Sequence, residues 1–90
     1  MSNVIEFTKA GGNWEYEFVS SGPVAVQVCA ASAGRVLVYA WWGDMPRALV
    51  AEVGNPYGAV FFGIDVPAGA KVCVLSSTEV TQAAMGDAVG

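Results

Sequence analysis

Short runs rich in Val, Phe, Tyr and Trp alternate along the chain with clusters of Gly, Pro, Ser and Asn. The clusters are Gly11-Gly12, Ser20-Ser21-Gly22-Pro23, Ser32-Ala33-Gly34, Gly43-Asp44-Met45-Pro46, Gly54-Asn55-Pro56 and Pro67-Ala68-Gly69. Residues of these types favour tight turns, so the runs between them read as strands. The pattern predicts strands near 3–9, 14–19, 24–30, 35–42, 47–53, 59–66 and 70–76 and an eighth at 78–83, with at most one loose helical turn over 81–85. Seven or eight short strands with no helix to cover them define an all-β fold, an antiparallel β-sandwich or jelly-roll-like barrel. The whole chain, 1–90, is one domain without linker or repeat. The small residues of 84–90 read as a tail held by a neighbouring chain.

Side chains alternate between the two faces of a strand, so each turn implies a sorting of faces. A Gly11-Gly12 turn sets Lys9 against Trp14, Phe7 against Tyr16 and Ile5 against Phe18, which puts Ile5, Phe7, Tyr16 and Phe18 in the core. It also sets Glu6 against Glu17, a repulsion that means either a different register or a cation approaching from elsewhere, unless the acidic face is simply solvated. A hairpin centred on Ala68 opposes Asp65 to Lys71 and sends Val60, Phe62, Ile64, Val66, Val72 and Val74 inward. A hairpin through Gly43 to Pro46 groups Val36, Val38, Ala40 and Trp42 with Leu49, Ala51 and Val53 inside. Arg35, Leu37, Tyr39 and Trp41 share the outside with Ala48, Val50 and Glu52.

One face of a sandwich strand meets water and should be polar. The runs Val24 to Ala30, Val36 to Trp42 and Val60 to Val66 are instead apolar or small on both faces, with Gln27 and Asp65 as exceptions. Their cover must come from outside the chain. Leu37, Tyr39, Trp41, Val50, Phe61 and Leu75 are the outward apolar residues that this reading assigns to an interface between subunits of a homo-oligomer.

Composition narrows the function. Hydrophobic residues make up 54% and charged residues 13% of the chain, the reverse of a disordered balance. Lys9, Arg35, Arg47 and Lys71 face eight acids for a net charge of −4, which argues against nucleic acid and anionic membrane surfaces as partners. The chain has no His and no recognisable pair of catalytic acids, and its Ser and Thr residues have no base to activate them, so no enzyme, no metal and no cofactor are expected. The longest apolar stretch, 36–42, is too short to span a membrane. Cys29 and Cys73 sit inside apolar runs, where buried free thiols are expected. The opening MSNVIEF has neither a charged nor an apolar leader segment, from which a reducing compartment is expected.

The aromatic residues leave an alternative open. Tyr39, Trp41 and Tyr57 with Asp44 and Arg47 form a possible platform for a sugar ring, since sugar sites pair aromatic faces with polar groups for hydroxyls. Asp44 and Asn55 are equally explained as turn formers.

The segment Gly63-Ile64-Asp65-Val66-Pro67-Ala68-Gly69-Ala70-Lys71-Val72-Cys73-Val74, followed by Ser76-Ser77-Thr78-Glu79-Val80-Thr81-Gln82-Ala83, resembles the small all-β virion proteins of tailed bacteriophages, the capsid decoration or cement and head-fibre type. The likeness covers about a quarter of the chain and lies in the style of strand, VPAG turn and polar ending, so it transfers no functional residue. The resemblance implies a many-copy oligomer, often a trimer, made in the host cytoplasm and carried in the virion. There it contacts other capsid proteins and stabilises the particle.

Overall fold

The computed structural model describes residues 2–87, and in it the runs between the turn clusters form nine strands. They are β1 (Ser2–Val4), β2 (Thr8–Ala10), β3 (Asn13–Val19), β4 (Val24–Ala30), β5 (Gly34–Trp41), β6 (Ala48–Asn55), β7 (Ala59–Ile64), β8 (Lys71–Ser76) and β9 (Val80–Asp87). They build two antiparallel sheets, a four-stranded one in the order β1-β9-β4-β7 and a five-stranded one in the order β2-β3-β8-β5-β6. Only the turns β2–β3 and β5–β6 join strands of one sheet; every other connection crosses to the opposite sheet. This interleaving makes the sandwich jelly-roll-like.

Valine at every second position fills the space between the sheets. Val26 and Val28 of β4, Val36 and Val38 of β5, and Val72 and Val74 of β8 have no accessible surface. Burying each contributes about 1.5–2 kcal/mol before entropy is counted, and β-branching suits them to the pleat. Ile5, Val24, Ile64, Val66, Ala70 and Ala83 complete the core, with Phe7, Tyr16, Phe18 and Phe62 packed at its margins. The rings of Phe7 and Tyr16 lie 6.0 Å apart and those of Tyr16 and Phe18 5.6 Å apart.

Several expectations are corrected. The predicted strand 3–9 is two strands in different sheets, β1 and β2, because the chain crosses over at 5–7. Lys9 does oppose Trp14, but the ladder ends at Thr8. Ile5 reaches the core from the other side, its N–H bonded to the Ala83 carbonyl at 3.0 Å, so it does not face Phe18 and Glu6 does not face Glu17. The hairpin read around Ala68 is a crossover: β7 pairs with β4 and β8 with β3 and β5, and Asp65 and Lys71 form no ion pair. Its inward set is nevertheless right, since parity along a strand does not depend on the partner. The register of β5 on β6 holds from Val36↔Val53 to Val38↔Ala51, then a bulge leaves Val50 without a partner and moves Leu49 opposite the outward Tyr39 and Ala48 opposite Ala40. Trp42, expected inside, lies past the end of β5 and is 51% exposed. The segment 81–85 is strand, not a helical turn, and 84–87 are the second half of β9, paired within the chain to β4 and β1. The rest of the expected tail, 88–90, lies outside the described residues. Asn55, read as a turn former, is the buried last residue of β6, and its side-chain amide has no hydrogen-bond partner among the described residues.

The crossovers are tied at both ends of the sandwich. At one end buried Ser20 donates from its hydroxyl to the Val66 carbonyl and accepts from the Gly22 N–H, each at 3.1 Å, while its backbone exchanges bonds with Gly69 and Ala70. At the other, the Ser77 hydroxyl accepts from the Arg35 N–H at 2.9 Å. Glycine at position 34 leaves room for that approach, since a Cβ there would stand 2.6 Å from the Ser77 hydroxyl oxygen and displace it.

Candidate functional site

The two broad outer faces of the sandwich differ in chemistry. On the five-stranded sheet, register rows across β3, β8, β5 and β6 read Glu15, Leu75, Leu37, Glu52 and then Glu17, Cys73, Tyr39, Leu49; a shorter row holds Val19, Lys71 and Trp41. An apolar centre is therefore flanked by acids on either side. Of the interface set from sequence, Leu37, Tyr39, Trp41 and Leu75 meet here and are partly buried, with Val50 at the adjoining edge. Arg47 reaches over them, its guanidinium 4.5 Å from the Trp41 ring and 3.2 Å from the Glu17 carboxylate. On the opposite flank Arg35 pairs with Glu52 at 3.3 Å.

Beneath this cover Cys73, outward by parity, is fully buried, with its Sγ 3.8 Å from the Glu15 carboxylate. Burial pushes its thiol pKa above the ordinary range; Arg47 opposes the shift, and Glu15 and Glu17 add to it. Cys29 lies on the outside of the other sheet, so the two free cysteines face away from each other across sheets about 10 Å apart. A disulfide cannot span that distance.

The outer face of the four-stranded sheet is flat and has no charged side chain at its outward positions among the described residues. Its rows across β1, β9, β4 and β7 read Val4, Ala84, Gln27, Phe61, beside Gly86, Ala25, Gly63 and Gln82, Cys29, Ala59. Val4 and Phe61 project at its two sides, 80% and 71% exposed. Between them lie two shallow hollows. One of about 170 Å³ is bordered by Val4, Gln27, Cys29 and Ala84, and one of about 270 Å³ by Ala25, Phe61, Ala84 and Gly86, with Asp87 at its rim. Phe61 is the sole residue of the predicted interface on this face, which separates it from the other five by the thickness of the sandwich. The doubly apolar run 24–30 carried the signal for this surface, although its outward residues Ala25, Gln27 and Cys29 were not among those singled out.

The sugar platform is assembled only in part. Tyr39 and Trp41 stand on the same outward face of β5, and Trp41, Asp44 and Arg47 lie near the β5–β6 turn, whereas Tyr57, 93% exposed, occupies the β6–β7 turn at the far end of β6. Eight residues of strand at about 3.3 Å each put some 20 Å or more between them. Arg47 also occupies one face of the Trp41 ring. A groove of about 320 Å³ beside Trp41 and Trp42, walled by Met45, Pro46, Val50 and Pro67, is almost wholly apolar and has Asp65 as its one charged lining residue.

Among the described residues no three His, Cys, Asp or Glu side chains gather as metal ligands. Comparison of the chain with protein-family models, with curated proteins and with solved structures finds no match.

Proposed function

We propose that the chain is a non-enzymatic structural module that associates with copies of itself within a virus particle, where it decorates or stabilises the capsid. The observation that carries this reading is the apolar surplus on both broad faces: Leu37, Tyr39 and Leu75 on one, and Val4, Ala25, Ala84 and Phe61 on the other. A small sandwich with no helix cannot bury such surface alone, and neighbouring subunits can. Jelly-roll folds recur in viral capsid domains, which agrees with the virion setting implied by the resemblance. Light scattering on the isolated chain at micromolar concentration should give a mass above the 9.3 kDa of one copy, and a monomer at every concentration would remove self-association. Mass spectrometry of purified virus particles containing this chain should find it in many copies; its absence from them would remove the virion setting.

A further inference from the structure

We propose that the outer face of the four-stranded sheet docks a second copy of this chain, face to face about a two-fold axis. The inference rests on the self-association reading and says which of the two apolar faces is used first.

Charge selects the face. The chain carries −4 overall, and its five-stranded face holds Glu15, Glu17 and Glu52 together with Arg35, Arg47 and Lys71, with Glu17 and Glu52 already paired to Arg47 and Arg35. Two copies meeting there would have to strip water from all six charges, a cost that ion pairs seldom repay. The four-stranded sheet presents no charge at its outward register positions among the described residues, with Asp87 at the rim of one hollow, so two copies meeting there desolvate far less charge.

Shape points the same way. A two-fold interface must be complementary to itself, so one patch needs both the projection and the recess that receives it. Phe61 is the projection. The hollow of about 170 Å³ beside Val4 and Ala84 is the recess, and a cavity of about 150 Å³ is enough for a benzene ring. Phe61 and Ala84 both oppose Gln27, one on each side. A two-fold axis lying in the face and running along β4 at Gln27 therefore carries each Phe61 toward the other copy's hollow. Ala25, Gly63 and Gly86 keep the remaining surface low enough for two sheets to approach. The molecule measures 32 × 31 × 19 Å, and its broad side accommodates the roughly 800 Å² per partner of a standard interface.

The test is sedimentation equilibrium on the full chain from about 1 µM to about 1 mM, a range that spans weak and tight dimers. The wild-type chain should reach the mass of two copies. Gln27→Glu sets two carboxylates against each other at the axis and should weaken association by about 100-fold or more, with an unchanged circular-dichroism spectrum because position 27 is exposed. Leu49→Glu, exposed on the other sheet, should leave association within about threefold of wild type. If Gln27→Glu does not fold, Phe61→Ala replaces it, with a weakening of about tenfold or more expected. Cys29 should be protected from alkylation at high concentration and free at low. A wild-type dimer broken by Leu49→Glu and indifferent to Gln27→Glu would overturn this face while leaving self-association standing. A mass of three copies would overturn the two-fold arrangement. A monomer throughout would overturn both.

Discussion

Arg47 and Glu17, thirty residues apart in sequence, are joined across the outer face of the five-stranded sheet, with the guanidinium also resting on the ring of Trp41. Arg47 precedes β6 and Glu17 lies on β3, so this one side chain bridges over β5 and β8. Both partners remain about half exposed, at 42% and 48%, so the ion pair contributes only a few tenths of a kcal/mol. The cation–π contact adds about 0.5–1 kcal/mol. Arg47→Ala should therefore lower unfolding stability by about 1 kcal/mol and alter Trp fluorescence in the folded state. Urea titration followed by fluorescence checks both, and an unchanged midpoint and spectrum would show that the bridge is not populated.

Cys73 beneath that bridge makes stability depend on alkaline pH. Its thiol is held above the ordinary range by burial, so the unfolded chain releases this proton at lower pH than the folded one. The contribution is complete below the unfolded value, about 8.5, and is lost as pH rises past it toward the folded value. Wild-type stability should fall between about pH 8 and pH 10 more steeply than that of Cys73→Ala. Parallel slopes in denaturation series at several pH values would contradict this. Cys29, partly exposed, should react with a thiol reagent well before Cys73 in the folded chain.

Ser20 ties the β3–β4 crossover to the β7–β8 crossover. Its hydroxyl serves the Val66 carbonyl and the Gly22 N–H, and neither of these has another partner among the described hydrogen bonds. Ser20→Ala removes both and should cost about 1–3 kcal/mol. Ser21→Ala, next to it and exposed, should change stability by less than about 0.5 kcal/mol. Equal effects of the two in chemical denaturation would remove the role given to Ser20.

Adjacent Phe61 and Phe62 point to opposite sides of β7, Phe62 against the core and Phe61 into solvent. Phe62→Ala opens space inside each subunit and should destabilise by about 3 kcal/mol, the low end for phenylalanine because it is only partly buried. Phe61→Ala should leave the unfolding free energy of the dilute monomer within about 0.5 kcal/mol. Thermal and urea unfolding at low concentration distinguish the two, and a reversed order would mean that β7 is turned over.

The side-chain sorting of most strands was legible in the sequence, because alternation is local. The core valines of β4, β5 and β8 and the inward Val60, Phe62 and Ile64 follow from a period of two whichever strand lies alongside. The Lys9↔Trp14 pairing was legible for a related reason, since a tight glycine turn fixes which residues on its two sides oppose each other.

Only the tertiary structure decided which strands are neighbours. The turn through Pro67 to Gly69 allows either a hairpin or a crossover, and the choice rests on β4 being available to pair with β7 and on β3 and β5 enclosing β8. These contacts come from distant parts of the chain and have no signature in any local window. The bulge at Val50 and the split between β1 and β2 belong to the same class: each resolves a conflict between local register and the closure of the two sheets. The sequence by itself determined that this chain is an all-β sandwich with more apolar surface than it can bury, since composition and alternation are local properties. That the surplus is divided between a charge-bordered face and one whose outward register positions carry no charge among the described residues was decided by strand order, because strand order alone brings Glu15, Glu17 and Glu52 to one sheet and leaves Gln27, Ala84 and Phe61 together on the other.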